Sequence, residues 1–283
     1  MRILTIDIEE WFHLLDHPAT RSEKEWDNYE IRIHENMETI FRILDRYNVS
    51  ASFFVVGWIA EKYPEIVRMI DERGYQIGSH THTHQLAHEQ DRKTFYKDVE
   101  KSIKTIEDCI GKKVELFRAP GFSISEENKW AFEVLYELGI TTDSSVFPID
   151  HAHGGLVGYP SAKPSLLKYN GITLKEFPIN SLNMVGKQMV FSGGGYFRLL
   201  PYQIIKRSTF KSDYVMGYFH PRDFDFKQPL IQDLSAFRRF KSYVGLKSCR
   251  PKLEKWLRDF EFIDIRGADK KINWSEQNVS VLD

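Results

Sequence analysis

The chain of 283 residues is 42% hydrophobic and 14% aromatic, which is enough apolar material for one large α/β domain with a sizeable core. Thirty-nine basic residues against forty acidic ones give a net charge of −1, so no overall field attracts nucleic acid or an anionic membrane. No apolar run approaches the roughly 18 residues of a membrane span, and Met1 leads into RILTIDIEEWF without the apolar stretch of a signal peptide. We therefore expect a cytoplasmic protein, and the two distant cysteines, Cys109 and Cys249, suit a reducing compartment.

Predicted strands and helices alternate along the chain. Helices are predicted at 36–48, from Pro64 to Gly74, near 93–110, near 126–138 and from Pro201, with further helical segments toward the C-terminus. Strands are predicted at RILTID, ASFFVVG, YQIGS, VELFR, ITTDSS, ITLKEFPI, YVMGYF and FEFIDI. About seven repeated βα units favour a parallel sheet closed into a barrel over a doubly wound sheet. We expect a single α/β domain over residues 1–283, with a long functional loop near 150–171.

Polar residues gather where the predicted strands end. In a parallel barrel the carboxyl ends of the strands meet at one face, and active sites lie there. One such residue alone is usually a cap or a buried hydrogen-bonding group, but a set at five strand ends favours a functional site. The set comprises Asp7, Glu9, the segment His80–His84, Arg118, Asp143 and His220.

The stretch IGSHTHTHQL places three histidines at alternate positions. His80 and His84 can share a metal ion only if the chain turns there, because an extended strand would separate them by about 13 Å. His82 would then point away from the metal, either supporting the ligands or facing solvent. A second pair with the same spacing, His13 and His17, lies in a polar stretch, and we expect surface histidines there.

Four motifs together resemble a known family. TIDIEE, SHTHTH, FRAPGF and YFHP, in this order, resemble the polysaccharide deacetylases that share the NodB homology domain, also called carbohydrate esterase family 4. IDIEEWFH, DSSVFPI and GGGYFRLLPY look like the bacterial branch found with exopolysaccharide and surface-polysaccharide genes. The resemblance implies a deformed (β/α) barrel, one divalent metal ion, often zinc, and hydrolysis of an acetyl group on a sugar.

The first motif departs from the family pattern. The family has two adjacent aspartates as catalytic base and metal ligand, whereas here Asp7 is followed by Ile8. Asp7 matches the base, and Glu9 is the candidate for the carboxylate ligand because residues i and i+2 face the same side of a strand. Glu10 would face away, as a surface or capping group.

The remaining motifs match the family directly. The resemblance makes His80 and His84 the ligand histidines, Arg118 the arginine that holds Asp7, and His220 the general acid. The backbone N–H of Gly121 would bind the oxyanion, and loss of one such donor typically costs about 3 kcal/mol of transition-state stabilisation.

The glycine-rich stretch SGGGYFRLLP lacks the lysine of a phosphate loop and is expected to form a wall of a sugar pocket. Tyr196 and Arg198 would contact the saccharide there, although Tyr196 and Phe197 could equally pack in the core. His151 and His153 lie in the long loop, where exposed histidines usually have no specific role. We expect the loops around 150–171 and 192–200 to set specificity.

The leading hypothesis is a metal-dependent deacetylase acting on the N-acetyl group of a nucleotide- or lipid-linked surface-polysaccharide precursor. Ile8 keeps open a hydrolase of cyclic amides that works without metal. A third alternative is an inactive carbohydrate-binding relative, but binding alone does not require an acid and a base such as His220 and Asp7.

Overall fold

The computed structural model describes residues 1–15, 17, 20–151, 153–184, 187–232 and 234–282. Within them eleven strands form one large sheet and one small hairpin. The strands are β1 Arg2–Ile8, β2 Ser52–Val55, β3 Gln76–Ser79, β4 Leu116–Phe117, β5 Thr142–Asp143, β6 Ser165–Tyr169, β7 Ile172–Glu176, β8 Leu182–Met184, β9 Lys187–Met189, β10 Val215–Phe219 and β11 Val279–Val281. The helices are α1 Glu23–Trp26, α2 Ile33–Tyr47, α3 Gly57–Lys62, α4 Pro64–Glu72, α5 Arg92–Ile110, α6 Trp130–Glu137, α7 Gly194–Leu199, α8 Tyr202–Lys211, α9 Ala236–Tyr243, α10 Leu246–Asp259 and α11 Ile265–Lys271.

The large sheet has the strand order β10-β1-β2-β3-β4-β5-β7-β6-β11. Its first seven strands are parallel to one another, whereas β6 runs antiparallel to β7. The α/β fold with about seven parallel strands is therefore confirmed. The carboxyl ends of all seven strands point to one face, which is where the polar residues of the sequence motifs end up.

The two ends of the parallel run are joined by side chains rather than by a continuous ladder. Asn180, just past β7, accepts hydrogen bonds from the backbone N–H of Met216 at 2.8 Å and from the Ser192 hydroxyl at 3.2 Å. The Tyr214 hydroxyl donates to the Pro178 carbonyl at 2.8 Å. This irregular closure is the deformation of the barrel.

The core follows the apolar patterns of the sequence. Strand β1 is buried on both faces from Ile3 to Ile8, as parallel strands covered by helices are. Helix α2 buries the stripe formed by Met37, Ile40, Phe41 and Leu44. Within the described residues, no helix is both long and apolar enough to cross a membrane.

Two predicted segments are wrong. Residues 165–169 of the expected long loop form β6, which pairs with β7 across Asn170 and Gly171. Both turn residues have positive φ, 42° and 84°, and an Asn-Gly pair is a strong signal for such a hairpin. The predicted strand FEFIDI reduces to one bridge between Ile263 and Ile3, because Asp264 caps the start of α11 and turns the chain into a helix.

Candidate active site

A cavity of about 300 Å³ opens at the carboxyl ends of the parallel strands. The strand-end residues of the motifs converge on it from distant parts of the chain. Those that line the cavity are Asp7, Glu9, His80, His84, Gly121, Arg198 and His220.

Arg118 is fully buried behind the cavity and holds Asp7 in place. Its Nη1 donates to Asp7 Oδ1 at 2.7 Å and to the Thr5 hydroxyl at 2.8 Å. Its Nη2 and Nε donate to the hydroxyl and the carbonyl of Ser144, at 2.9 and 3.2 Å. The guanidinium also lies 4.1 Å from the centroid of the Phe54 ring. Because these contacts hold the Arg118 guanidinium group in one position, its hydrogen bond fixes the orientation of the Asp7 carboxylate.

The segment after β3 turns, as the spacing of its histidines requires. Thr81 and His84 both adopt positive φ, 60° and 52°, and the His84 N–H donates to the Thr81 hydroxyl at 3.1 Å. The N–H of Gly57 donates to the Thr81 carbonyl at 2.8 Å. This turn brings the rings of His80 and His84 to a centroid distance of 5.2 Å.

Glu9, His80 and His84 form a buried cluster whose ligand atoms all lie within 4.8 Å of one another. Glu9 Oε2 lies 2.7 Å from His84 Nε2. His80 Nδ1 lies 2.7 Å from the Arg118 carbonyl. Because a carbonyl can only accept, the proton is on Nδ1 and the lone pair of Nε2 is available, as for histidines that bind metal.

The charge states of this cluster suit a divalent cation. Burial and the neighbouring His84 lower the pKa of His80 well below its usual value, so the ring is neutral. Burial opposes ionisation of Glu9, but His220 and His84 lower the pKa of this carboxyl below its usual value. Neutral imidazoles and a carboxylate are the ligands that zinc binds in hydrolytic sites with an open position. The residues present therefore fit the metal that the sequence predicts.

His220 follows β10 and lines the same cavity as the metal-ligand cluster. Its Nδ1 is 3.0 Å from Asp223 Oδ2, and its Nε2 is 3.9 Å from Asp7 Oδ2. Burial opposes the charged ring, but Glu9 and Asp223 raise the pKa of His220 to about 9. The ring is therefore protonated at neutral pH, with Nε2–H available toward Asp7.

Asp223 is a functional residue that sequence reasoning missed. Its Oδ2 accepts the His220 N–H at 2.9 Å, and its Oδ1 lies 3.1 Å from Arg198 Nε in a buried ion pair. Burial opposes its charge, but Arg198 and His220 hold the pKa of Asp223 well below its usual range. The available signal was an acidic residue three positions after a strand-end histidine, in YFHPRDF.

Gly121 lines the cavity in a left-handed conformation with φ of 59°. A Cβ atom here would come within 2.7 Å of Leu15 Cδ1 and 3.2 Å of His153 Cβ. Only glycine fits this backbone without strain. The loop thus passes close to the cavity, as an oxyanion donor must.

Asp143 ends β5 but does not line the cavity. It is fully buried, and its Oδ1 accepts from the Ser145 hydroxyl at 2.7 Å. The same hydroxyl accepts the N–H of Ala119 at 2.8 Å, which fixes the loop after Arg118. Glu176 lies beside Asp143 in the sheet, and burial raises the pKa of both carboxyls.

The two aromatic residues of the glycine-rich stretch differ in their exposure. Phe197 is fully buried, whereas Tyr196 is 44% exposed and lies outside the cavity lining. Arg198 lines the cavity but binds Asp223, as described above. Contact of Tyr196 or Arg198 with a saccharide stays a prediction.

The expectation that His13 and His17 are surface residues is wrong. Both are buried, and His13 also lines the cavity. The His13 ring packs 4.1 Å from the Trp26 ring and 5.6 Å from the His84 ring, measured between centroids. Its Nδ1 accepts the N–H of Glu10 at 3.3 Å. Aromatic packing in the segment after β1 therefore buries a stretch that reads as polar.

Glu10 is a buried cap rather than a surface residue. Its Oε1 accepts the N–H groups of Arg32 and Ile33, both at 2.7 Å, at the start of α2. Its Oε2 accepts the N–H of Trp11 at 3.2 Å. Burial outweighs these bonds and raises the pKa of Glu10 to about 7.

His82 lies against α3, outside the cavity lining. It is buried, with Nε2 3.2 Å from Glu61 Oε2, and a Cβ on Gly57 would come within 2.6 Å of its Nδ1. It therefore neither contacts the ligands nor faces solvent, and both expected roles are wrong.

Residues 25–142 match the family model described as polysaccharide deacetylase. This part of the chain is therefore similar to a polysaccharide deacetylase domain. This domain contains His80, His84 and Arg118, which confirms the resemblance of the motifs. Residues 144–270 match a domain of unknown function, DUF3473, which contributes His220 and Asp223 to the same cavity.

Curated relatives that match part of the chain are named peptidoglycan-N-acetylglucosamine deacetylases. The match to a peptidoglycan-N-acetylglucosamine deacetylase of Bacillus cereus is 31% identical over 102 residues, which is 35% of this chain and 37% of that protein. The match to a peptidoglycan-N-acetylglucosamine deacetylase of Listeria monocytogenes is 31% identical over 84 residues, 30% of this chain and 18% of that protein. The matched segments thus span less than half of the length of these relatives.

Two solved structures share the fold of this chain. A candidate polysaccharide deacetylase from Mycobacterium smegmatis is 18% identical, with a TM-score of 0.65 over 100% of this chain and 93% of that one. A carbohydrate esterase family 4 pseudoenzyme from Bacillus anthracis is 13% identical, with a TM-score of 0.51 over 94% of this chain and 64% of that one. At these identities the likeness shows the fold alone.

Proposed function

We propose that the chain is a metal-dependent hydrolase that removes an N-acetyl group from a saccharide, as a step in making a surface polysaccharide. The observation that carries this proposal is that two groups of residues meet in one cavity. Glu9, His80 and His84 form a cluster suited to zinc, and Asp7 and His220 line the same cavity, with His220 Nε2 3.9 Å from Asp7 Oδ2.

The first half of the reaction needs an activated water molecule. A bound divalent ion polarises the acyl carbonyl and lowers the pKa of water. Asp7 accepts the proton of the attacking water, and Arg118 holds its carboxylate in place through a hydrogen bond. The backbone N–H of Gly121 donates to the oxyanion that forms on the acyl carbon.

The second half needs a proton on the leaving nitrogen. His220 is protonated at neutral pH and presents Nε2–H on the side of Asp7. Its other ring nitrogen is held by Asp223, so the ring cannot turn its proton away. His220 therefore donates to the amine as the C–N bond breaks, and acetate and a free amino sugar result.

The curated relatives support an N-acetylated sugar as substrate, because both are peptidoglycan-N-acetylglucosamine deacetylases. Retention of both the acid and the base supports catalysis over mere binding of carbohydrate. The metal-ligand cluster supports a metal-dependent reaction despite Ile8, since Glu9 supplies the carboxylate that this position lacks.

The test is an acetate-release assay with zinc-loaded protein. Substrates are N-acetylglucosamine oligomers, nucleotide-linked N-acetyl sugars, O-acetylated sugars and a cyclic ureide, and Asp213→Asn is a surface control for Asp7→Asn. Release from N-acetyl sugars by wild type and control, but not by Asp7→Asn, is expected. Opening of the ureide ring without acetate would overturn the proposal in favour of a cyclic amidase.

A further inference from the structure

Helix α9 has an unusual surface for a water-soluble element. None of its eight residues, AFRRFKSY, is buried. Phe237 is 72% exposed and Phe240 is 54% exposed. A helix this short has little stability of its own, and exposing two phenylalanines to water adds a cost that a purely structural helix would avoid.

The helix lies between the active-site cavity and an apolar groove. One side, with Arg238, Lys241 and Ser242, lines the cavity. The other side faces a shallow groove of about 610 Å³, to which Phe240 and Tyr243 contribute. A ligand that leaves the cavity over α9 would therefore pass cations first and an apolar surface next.

Neighbouring segments extend the apolar surface. Arg198 in α7 donates to the carbonyls of Ser242 and Lys241, at 2.8 and 3.1 Å, which holds α7 beside α9. The Tyr243 hydroxyl accepts the N–H of Ile231 at 2.9 Å, which holds the preceding loop there. The side chains that are more than half exposed on these segments form what we call the apolar patch: Leu199, Phe226, Leu230, Phe237 and Phe240.

Charge separates the cavity from the apolar patch. Asp7, Glu9 and Asp223 line the cavity together with Arg198 and Arg222, and Arg238 and Lys241 line it from α9, on the side of the apolar patch. Arg238 reaches the carbonyl of Leu15 across the cavity edge, and Lys241 lies 5.5 Å from the Phe237 ring. A cationic edge of this kind is suited to phosphate, and an aromatic surface beyond it is suited to a hydrocarbon chain.

We propose that the saccharide substrate is joined through a phosphate group to an apolar chain. The sugar occupies the cavity, the phosphate contacts Arg238 and Lys241, and the chain crosses α9 onto the apolar patch. This inference rests on the proposed function, because it places the N-acetyl sugar in the same cavity. The base of a nucleotide can stack on one phenylalanine ring, but it would leave the rest of the apolar patch uncovered.

Binding can be measured without any reaction. Farnesyl phosphate serves as the probe, with inorganic phosphate for comparison, and isothermal titration gives the affinity for wild type. We expect Phe237→Ser/Phe240→Ser to weaken farnesyl phosphate binding at least tenfold. The matched control is Phe210→Ser, since Phe210 is 79% exposed on α8, near the opposite end of β10. Thermal melting followed by circular dichroism checks that each variant is folded. If the double variant is not folded, the single variant Phe237→Ser replaces it.

Equal affinity of wild type and the folded double variant for farnesyl phosphate would overturn the inference, and so would the absence of binding by wild type. An equal loss in Phe210→Ser would also overturn it, because the effect would then not belong to the apolar patch.

Acetate release separates this inference from the proposed function. The measured quantity is the ratio of kcat/KM for farnesyl-diphospho-N-acetylglucosamine over N-acetylglucosamine 1-phosphate. We expect a ratio above ten for wild type and Phe210→Ser, and a ratio near one for the double variant. A ratio near one for wild type, or a higher kcat/KM for the nucleotide-linked sugar, would overturn the inference alone. Failure of every N-acetyl sugar would overturn the proposed function, while the binding result would still decide the inference.

Discussion

The two halves of the chain supply the active site in different ways. In residues 2–142 the site groups belong to the core: Arg118 is fully buried and Asp7 is 2% exposed. In residues 144–270 the site is less enclosed: the His220 side chain is 24% exposed and α9 buries no residue, although Asp223, which holds His220, is only 2% exposed. In the proposed reaction, the metal ligands and the base thus come from the core of the barrel, whereas the acid and the entrance come from the second half. Changes to the metal ligands should abolish the reaction, and changes around His220 should alter its pH dependence.

The largest effect is expected from the metal ligands. His80→Ala removes a ligand from a buried cluster, so metal content should fall to background together with acetate release. The loss of metal affinity in His80→Ala should exceed the roughly 10–100-fold loss that follows removal of a residue that only supports a ligand. Elemental analysis of protein purified without chelator measures it, with the exposed His34→Ala as control.

Full metal occupancy in His80→Ala would show that the cluster is not the metal site. Glu9→Ala should lose the metal as well. Loss in the histidine variant alone would remove Glu9 from the set of ligands.

The catalytic base should separate metal binding from turnover. Asp7→Asn keeps the shape and the contact with Arg118 but cannot accept the proton, so kcat should fall by about 100-fold to 10,000-fold at full metal content. Steady-state kinetics and elemental analysis on the same sample check this. Near-normal turnover in Asp7→Asn would mean that Glu9 or Glu10 takes the proton.

Asp223 should control the pKa of its neighbour His220, the proposed general acid. Glu9 and then Asp223 raise the pKa of His220 to about 9, and Asp223→Asn removes the second of these negative charges. Because the acid works only when protonated, activity is lost as pH rises through this pKa, and the basic limb of the kcat/KM profile should move to lower pH in the variant. Turnover at pH 7 should fall with metal retained, but by less than the roughly 100-fold or more that a whole acid–base group typically contributes. An unmoved basic limb would contradict the role of Asp223.

The smallest effect is expected for Glu10, the buried residue that caps the start of α2. Burial raises the pKa of Glu10 to about 7, so the folded chain holds a proton that the unfolded chain loses at lower pH. Wild type should therefore lose stability relative to Glu10→Gln as pH rises from about 4.5 to 7. Urea unfolding at pH 5 and pH 8 measures this difference. If wild type were more stable relative to Glu10→Gln at pH 8 than at pH 5, the raised pKa of Glu10 would be contradicted.

Much of the site could be predicted because strand order in a parallel barrel places strand-end residues together. That rule places Arg118 and Asp7 at one face, and the family resemblance adds that Arg118 holds Asp7. The turn between His80 and His84 follows from their spacing if both bind one metal ion. Asp223 could not be placed in the same way, since its role depends on the tertiary contact with Arg198.

Burial was the weaker part of the prediction. EEWFHLLDH reads as a polar stretch, yet Trp26 packs over His13 from a different element and removes it from water. The hairpin at Asn170 and Gly171 was readable from the sequence, but the surrounding loop residues concealed its strands.

The central claim is that both halves form one metal-dependent deacetylase site, and a zinc titration tests it most directly. Wild-type protein is stripped with a chelator, and acetate release from N-acetylglucosamine oligomers is followed as zinc is returned. We predict that release rises linearly to a plateau at one zinc per chain, and that Asp7→Asn binds the same zinc without releasing acetate. Full acetate release by the stripped protein, or zinc binding that restores none in wild type, would contradict the account.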